Sequence, residues 1–220
     1  MNKGEQEILR RAASVIGHDL RNPLAVINNS SYFVRAKLGA SKLDPKVEKH
    51  LKIIESEIAR ADKLLADMLT FSRPYECAAE TMPLDSIVAD AVENFPVPQG
   101  GKLDVKLSAK GVVAKFDGKA VADALKRLID NAFAAQEEKG VVKVATSAGK
   151  DGLTVSVTDS GKGVDPKIEP VMYEAFMTSK PKGMGLGLAL ARKYLEGNGG
   201  SVTHETGPKG STFKLTLPKA

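Results

Sequence analysis

The residues best suited to do chemistry open the string HDLRNPL at 18–24. His18 falls between the apolar seam positions Ile16 and Leu20, so a helix through them is expected to project it outward, where a nucleophile can meet a separate domain. Asp19 follows directly. A carboxylate that accepts a proton from one imidazole nitrogen holds the ring in the tautomer whose other nitrogen carries a free lone pair. The chemistry this suits is base-assisted attack on a phosphoryl group. Pro23 has no N–H, so within a helix it deprives the Asp19 carbonyl of its usual donor and loosens the turn beside His18. The alternative is a merely solvated surface histidine, the reading kept for His50 and His204; the full string sets His18 apart from them.

A second set begins about 110 residues later: RLIDNAFAAQ, then VTDSGKG, then FMTSKPKGMGLGLAL. Asn131, on an expected helix, can offer an amide oxygen to Mg²⁺ without adding charge. Asp159 ends the strand-like run LTVSVT and is an acceptor suited to the amino group of adenine, while Gly161 and Gly163 allow a tight backbone turn. Gly183, Gly185 and Gly187 lead into an apolar helix whose free N–H groups can face phosphate. This is not the dinucleotide fingerprint, because Leu188 stands at the third glycine position, and no GxxxxGK[ST] string occurs.

Taken in order, HDLRNPL, the asparagine helix, DSGKG, the flexible FMTSK segment and GMGLG resemble the core of the sensor histidine kinases, over nearly the whole chain. The four later strings look like that family's N, G1, F and G2 boxes. The resemblance implies the ATP-binding sandwich shared with gyrase-type ATPases, ATP and Mg²⁺ as cofactors, and relay of phosphate from His18 to an aspartate on a response-regulator receiver domain. It also implies a water-positioning role in dephosphorylation for Asn22. Phe176, Thr178 and Lys180 resemble an FxTTK lid whose lysine sits near the terminal phosphate, and Thr212 matches a threonine that supports the adenine-binding aspartate. Two departures stand out: Arg127 occupies the place of a common second asparagine, and Ala134 and Ala135 replace a frequent basic residue. Arg127 could contact phosphate or simply face solvent.

The elements needed to position these groups are legible. Val47, Leu51, Ile54, Ile58, Ala61, Leu65 and Met68 alternate steps of four and three, and Leu9, Ala13, Ile16, Leu20, Leu24, Ile27, Ser31, Val34 and Leu38 carry a similar seam with one extra step near Pro23. The short LGASKLDP connection predicts an antiparallel helical hairpin over 1–73, and its uncovered stripe predicts a homodimer closing a four-helix bundle. A linker is expected at 74–81 and an ATP-binding domain at 82–220. In that domain helices are expected at 85–94, 118–137 and 185–196, the second capped by Asp117. Strands are expected at 103–109, 112–116, 141–148, 153–158, 201–206 and 211–217. The fold class is thus α followed by α+β, a mixed sheet with helices on one face. The 220 residues suffice for two modest domains. The single Cys77 offers no disulfide, and with no membrane segment in the sequence a cytoplasmic setting is expected. The net charge of +5 is spread among many acids with few aromatics, against nucleic-acid binding. Two other functions fit the same residues: a non-catalytic dimeric scaffold, suggested by Arg127, and a net phosphatase, suggested by Asn22.

Overall fold

The computed structural model describes residues 3–38, 44–137, 139–150, 152–180 and 183–219, with the side chains before Ile16 and that of His18 outside the description. It divides into two units, Met1–Pro74 and Tyr75–Ala220.

The first unit is a pair of helices, α1 (Lys3–Leu38) and α2 (Pro45–Ser72), packed along one another. The start of α2 is written in its residues: the Asp44 side chain accepts from the Lys46 N–H at 2.7 Å, and Pro45 takes the first-turn position where its missing N–H costs nothing. Leu51, Ile58 and Leu65, spaced by seven, form the buried edge of α2. A fork of hydrogen bonds from Arg35 Nε and Nη2 to Glu55, at 3.1 and 3.0 Å, ties α1 to α2. Helix α1 continues through the exposed Pro23. The connection between the helices, including most of LGASKLDP, lies outside the described residues.

The second unit is an α/β sandwich. Its strands are β1 (Glu80–Pro83), β2 (Gly101–Lys106), β3 (Val113–Phe116), β4 (Gly140–Gly149), β5 (Gly152–Thr158), β6 (Ser201–Gly207) and β7 (Gly210–Leu217). Its helices are α3 (Leu84–Glu93), α4 (Gly118–Ala135) and α5 (Gly187–Gly197). Five strands form a mixed sheet in the order β2-β4-β5-β7-β6, parallel only between β2 and β4. The other two form a separate antiparallel ribbon, β1 with β3. Along β7 the residues alternate, with Ser211, Phe213, Leu215 and Leu217 buried and their neighbours partly exposed, as a sheet covered on one face requires. The cover includes α4, whose Val121, Ala124, Leu125, Leu128, Ile129, Ala132 and Phe133 enter the core. The Asp117 carboxylate accepts from Ala120 N at 3.0 Å, so the expected cap is in place.

Three features differ from expectation. Strand β1 occupies the end of the segment read as linker, because its four residues gain strand geometry only by pairing with β3 some thirty residues away. Strand β2 starts two residues early, at Gly101, and ends three residues early, at Lys106. Helix α5 begins at Gly187 rather than 185, since Gly185 has φ +71° and is outside helical geometry.

Candidate active site

The residues expected to accept phosphate lie on α1. His18, Asp19 and Asn22 share this helix, and Asn22 follows His18 by one turn, hence on the same side. Asp19 and Asn22 are exposed. Gly17, directly before His18, is buried against Leu69 of α2, so the backbone at this point is held close to the partner helix. The outward projection expected of the His18 side chain lies outside the described residues. His50 is exposed on α2.

The residues expected to bind nucleotide come from four segments. Asp159 leaves β5 and is 5% exposed. Its Oδ1 accepts from Gly161 N at 2.8 Å and Ser211 N at 3.3 Å, while its own N–H donates to Ser211 O at 2.9 Å. Burial pushes the carboxyl above its ordinary range; the two amides and the Lys180 ammonium pull it part-way back. Among the described residues no hydrogen bond is directed to Oδ2. One carboxylate oxygen is therefore fixed by the fold and the other is available to an exocyclic amine. Gly163 has φ +78°, and a Cβ there would lie 2.3 Å from Gly207 O, so the loop can seat against the β6–β7 turn only as glycine. The next amide, Val164 N, donates to Thr206 Oγ1 at 2.9 Å.

Thr212 sits one residue beyond the position that touches Asp159. Its hydroxyl meets that of Thr158 at 3.0 Å, and the support for Asp159 comes from the backbone of Ser211. The strand pairing explains this: Thr158 and Thr212 are register partners, so their side chains meet, while in the next pair Asp159 N donates to Ser211 O and Ser211 N turns to the Asp159 carboxylate. Ser211 was legible only as the neighbour of Thr212. A second contact missing from the sequence reading is Ser160 Oγ to Gln136 Oε1 at 2.6 Å, which ties the Asp159 loop to the end of α4.

Half-buried Asn131 lies in the last turns of α4, and its Oδ1 accepts from the ammonium of Lys180 in the lid. The amide oxygen is thus aimed at a cation, the property a hard divalent ion requires of a ligand. The lid loop is closed at its neck by Phe176 N donating to Gly185 O at 3.1 Å, with Phe176 itself at φ +68°. Inside it Thr178 Oγ1 accepts from Lys180 N at 3.0 Å and Gly183 N donates to Lys180 O at 3.2 Å, a turn that directs the lysine. Gly187 is the first residue of α5, and among the described residues no side chain caps its N-terminus. Its amides remain available to an anion.

Arg127 neither faces solvent freely nor stands as a bare charge: its side chain is 13% exposed and its Nε pairs with Asp123 at 3.0 Å, one turn back along α4. His204 belongs to a structural cluster, bonded to Tyr173 through Nδ1 at 3.2 Å and to Glu169 through Nε2 at 3.1 Å, and stacked on Phe213.

Two family descriptions match these two halves. The His Kinase A (phospho-acceptor) domain matches residues 8–75, and the histidine kinase-, DNA gyrase B-, and HSP90-like ATPase matches residues 116–220. The chain belongs to the histidine kinase family. Among curated relatives, this kinase core is 31% identical to the sensor histidine kinase MtrB of Mycolicibacterium paratuberculosis, over 95% of its own length and 39% of that protein. It is 28% identical to the sensor histidine kinase ZraS of Escherichia coli, over 96% of its length and 45% of that protein. The chain therefore spans less than half of these relatives. In fold it is similar to full-length ShkA, solved with AMPPNP, at a TM-score of 0.73 and 22% identity over 96% of this chain and 47% of that one. It is also similar to the histidine kinase AdeS of Acinetobacter baumannii, at a TM-score of 0.61 and 18% identity over 91% and 97%. Among the described residues no helix is long and apolar enough to cross a membrane.

Proposed function

We propose that the chain is an ATP-dependent protein-histidine kinase core that transfers the γ-phosphate of ATP to His18 and relays it to an aspartate on a response-regulator receiver domain. The observation that carries this reading is the half-satisfied Asp159: a buried carboxylate held on Oδ1 by two backbone amides, with its second oxygen left for the amino group of adenine. A core built only for stability gains nothing from a buried acid whose charged form it disfavours.

In this reading Asp159 orients the base, and the α5 N-terminus with Gly183, Gly185 and Gly187 receives the phosphates. Lys180 and Thr178 belong to the lid that covers them. Asn131 holds Mg²⁺, which supplies charge neutralisation to the transferring phosphoryl group when bound. Asp19 keeps the His18 imidazole in the attacking tautomer. Asn22, one turn on, positions water for dephosphorylation of the partner. The chain works as a homodimer through its helical hairpin.

Incubation with γ-labelled ATP tests the reading. The expected label survives base and is lost in acid, as a phosphoramidate is, and His18→Gln abolishes it without loss of thermal stability. Full labelling of the variant, or an acid-stable label, would place the phosphate elsewhere; nucleotide binding with no label at all would favour the scaffold.

A further inference from the structure

The segment that joins the two units is fastened to the ATP-binding unit by a closed polar network centred on Tyr75. The Tyr75 hydroxyl donates to Asp117 Oδ2 at 2.9 Å and accepts from Asn198 Nδ2 at 3.0 Å. Asn198, 8% exposed, uses all of its amide: Nδ2 also donates to Tyr194 O at 2.7 Å, and Oδ1 accepts from Asp117 N at 2.7 Å and Cys77 Sγ at 3.3 Å. Ala78 N donates to Asp117 Oδ2 at 3.4 Å. The Tyr75 ring packs edge-on against Tyr194, with centroids 5.2 Å apart, and lies over Gly197, where a Cβ would come within 2.3 Å of Cδ1.

The two anchors have a specific place in the fold. Asp117 is the N-cap of α4, the helix that carries Asn131, and Asn198 is the C-cap of α5, the helix that opens at Gly187. The strap therefore grips both helices that build the nucleotide site, at the ends away from it. Helix α2 ends at Ser72, so with Tyr75 fastened only Arg73 and Pro74 separate that helix from the ATP-binding unit. Without the network the first fastened residue would be Glu80 of β1, and the tether would grow to the seven residues 73–79. A longer tether dilutes one attached partner about the other.

We propose that this clasp sets the length of the tether between the phosphoacceptor helices and the ATP-binding unit, making Tyr75 a positioning residue for transfer to His18. The proposal rests on the kinase reading above. Tyr75→Ala removes the hub. Gly197→Ala loosens the clasp without replacing Tyr75, because its methyl displaces the ring while alanine suits the helix end. Inserting five Gly/Ser residues between Arg73 and Pro74 lengthens the tether with the clasp intact.

In the full chain, each of the three changes is expected to slow initial His18 labelling about three- to tenfold, the scale of a two- to seven-residue change in a −3/2 power law. ATP affinity by calorimetry should stay within about twofold, a split that damage to the pocket would not produce. The two point variants, not the insertion, should also speed cleavage by a Glu-specific protease after Glu76. Combining Gly197→Ala with Tyr75→Ala should slow labelling no further than Tyr75→Ala alone.

Labelling by the variants at the wild-type rate, or a loss of ATP affinity that matches the loss of labelling, overturns the positioning role. A wild-type chain that binds ATP without labelling overturns it together with the kinase reading, and the protease rates then show whether the clasp itself exists.

Discussion

Asp159 is the residue at which stability and function pull apart. Its carboxyl is pushed up by burial, so the folded state disfavours the charged form that the proposed adenine recognition needs. For an acid raised in the fold, the stabilising contribution is present below the unfolded carboxylate range and is lost as pH rises through the folded value. At neutral pH Asp159 is therefore a cost to the fold. Asp159→Asn should leave the melting temperature equal to or above that of wild type at neutral pH, and the difference should shrink as the buffer is taken into the carboxylate range. The same variant should weaken ATP binding about ten- to a hundredfold, the worth of a hydrogen bond to a charged acceptor at roughly 1.5–3 kcal/mol. Calorimetric melting and ATP titration read the two effects separately. Equal ATP affinity in both proteins would move adenine recognition off this residue, and a fall in stability at neutral pH would show that the two backbone amides outweigh burial.

At the scale of elements, the start of α4 carries more than its cap. Asp117 accepts from Ala120 N at the helix start and from Tyr75 in the strap, so one carboxylate serves two elements. Asp117→Ala should cost about 2.5–4 kcal/mol, a cap of ~1 kcal/mol plus one charge-assisted bond of roughly 1.5–3 kcal/mol, with Asp117→Asn costing less; urea unfolding of the full chain, followed by helix signal, measures both. A loss below about 0.5 kcal/mol for the alanine variant would mean that water replaces the carboxylate at little cost. The contrast between α4 and the strap also explains what could be read from sequence. The cap, the apolar period of α4, the seam of α2 and the β6–β7 pair are local patterns, written within a few residues of where they act. Strand β1, the Tyr75 network and the Ser211 support of Asp159 were not legible, because each depends on partners between about thirty and 120 residues away. The DSGKG and GMGLG strings mark two loops of the candidate site, yet the bond between Asn131 and the lid lysine joins residues 49 positions apart and follows only from the fold.

The whole molecule leaves part of its hairpin uncovered. Leu51, Ile58 and Leu65 are buried between α1 and α2, but Ile16, Leu20, Ile27, Val34, Val47 and Ile54, read in the sequence as members of the same seam, remain 40–48% exposed in the single chain. A two-helix unit has no other layer to set against them, and covering the remaining exposed part of each such side chain gains about 0.7–1.4 kcal/mol, a little under half the worth of full burial. A second copy supplies a matching stripe by symmetry, which is the basis for expecting a homodimer. Sedimentation of the full chain should give a dimer, and Ile27→Glu combined with Ile54→Glu should shift it to monomer by placing charge where no partner waits. Val26→Glu serves as the control, since Val26 is 64% exposed and lies about 100° round α1 from Ile27, off the stripe. ATP affinity should be unchanged in all of these variants, because the nucleotide residues lie wholly in Tyr75–Ala220. A wild-type monomer, or a dimer that survives the paired glutamates but not Val26→Glu, would move the contact to another face of the hairpin.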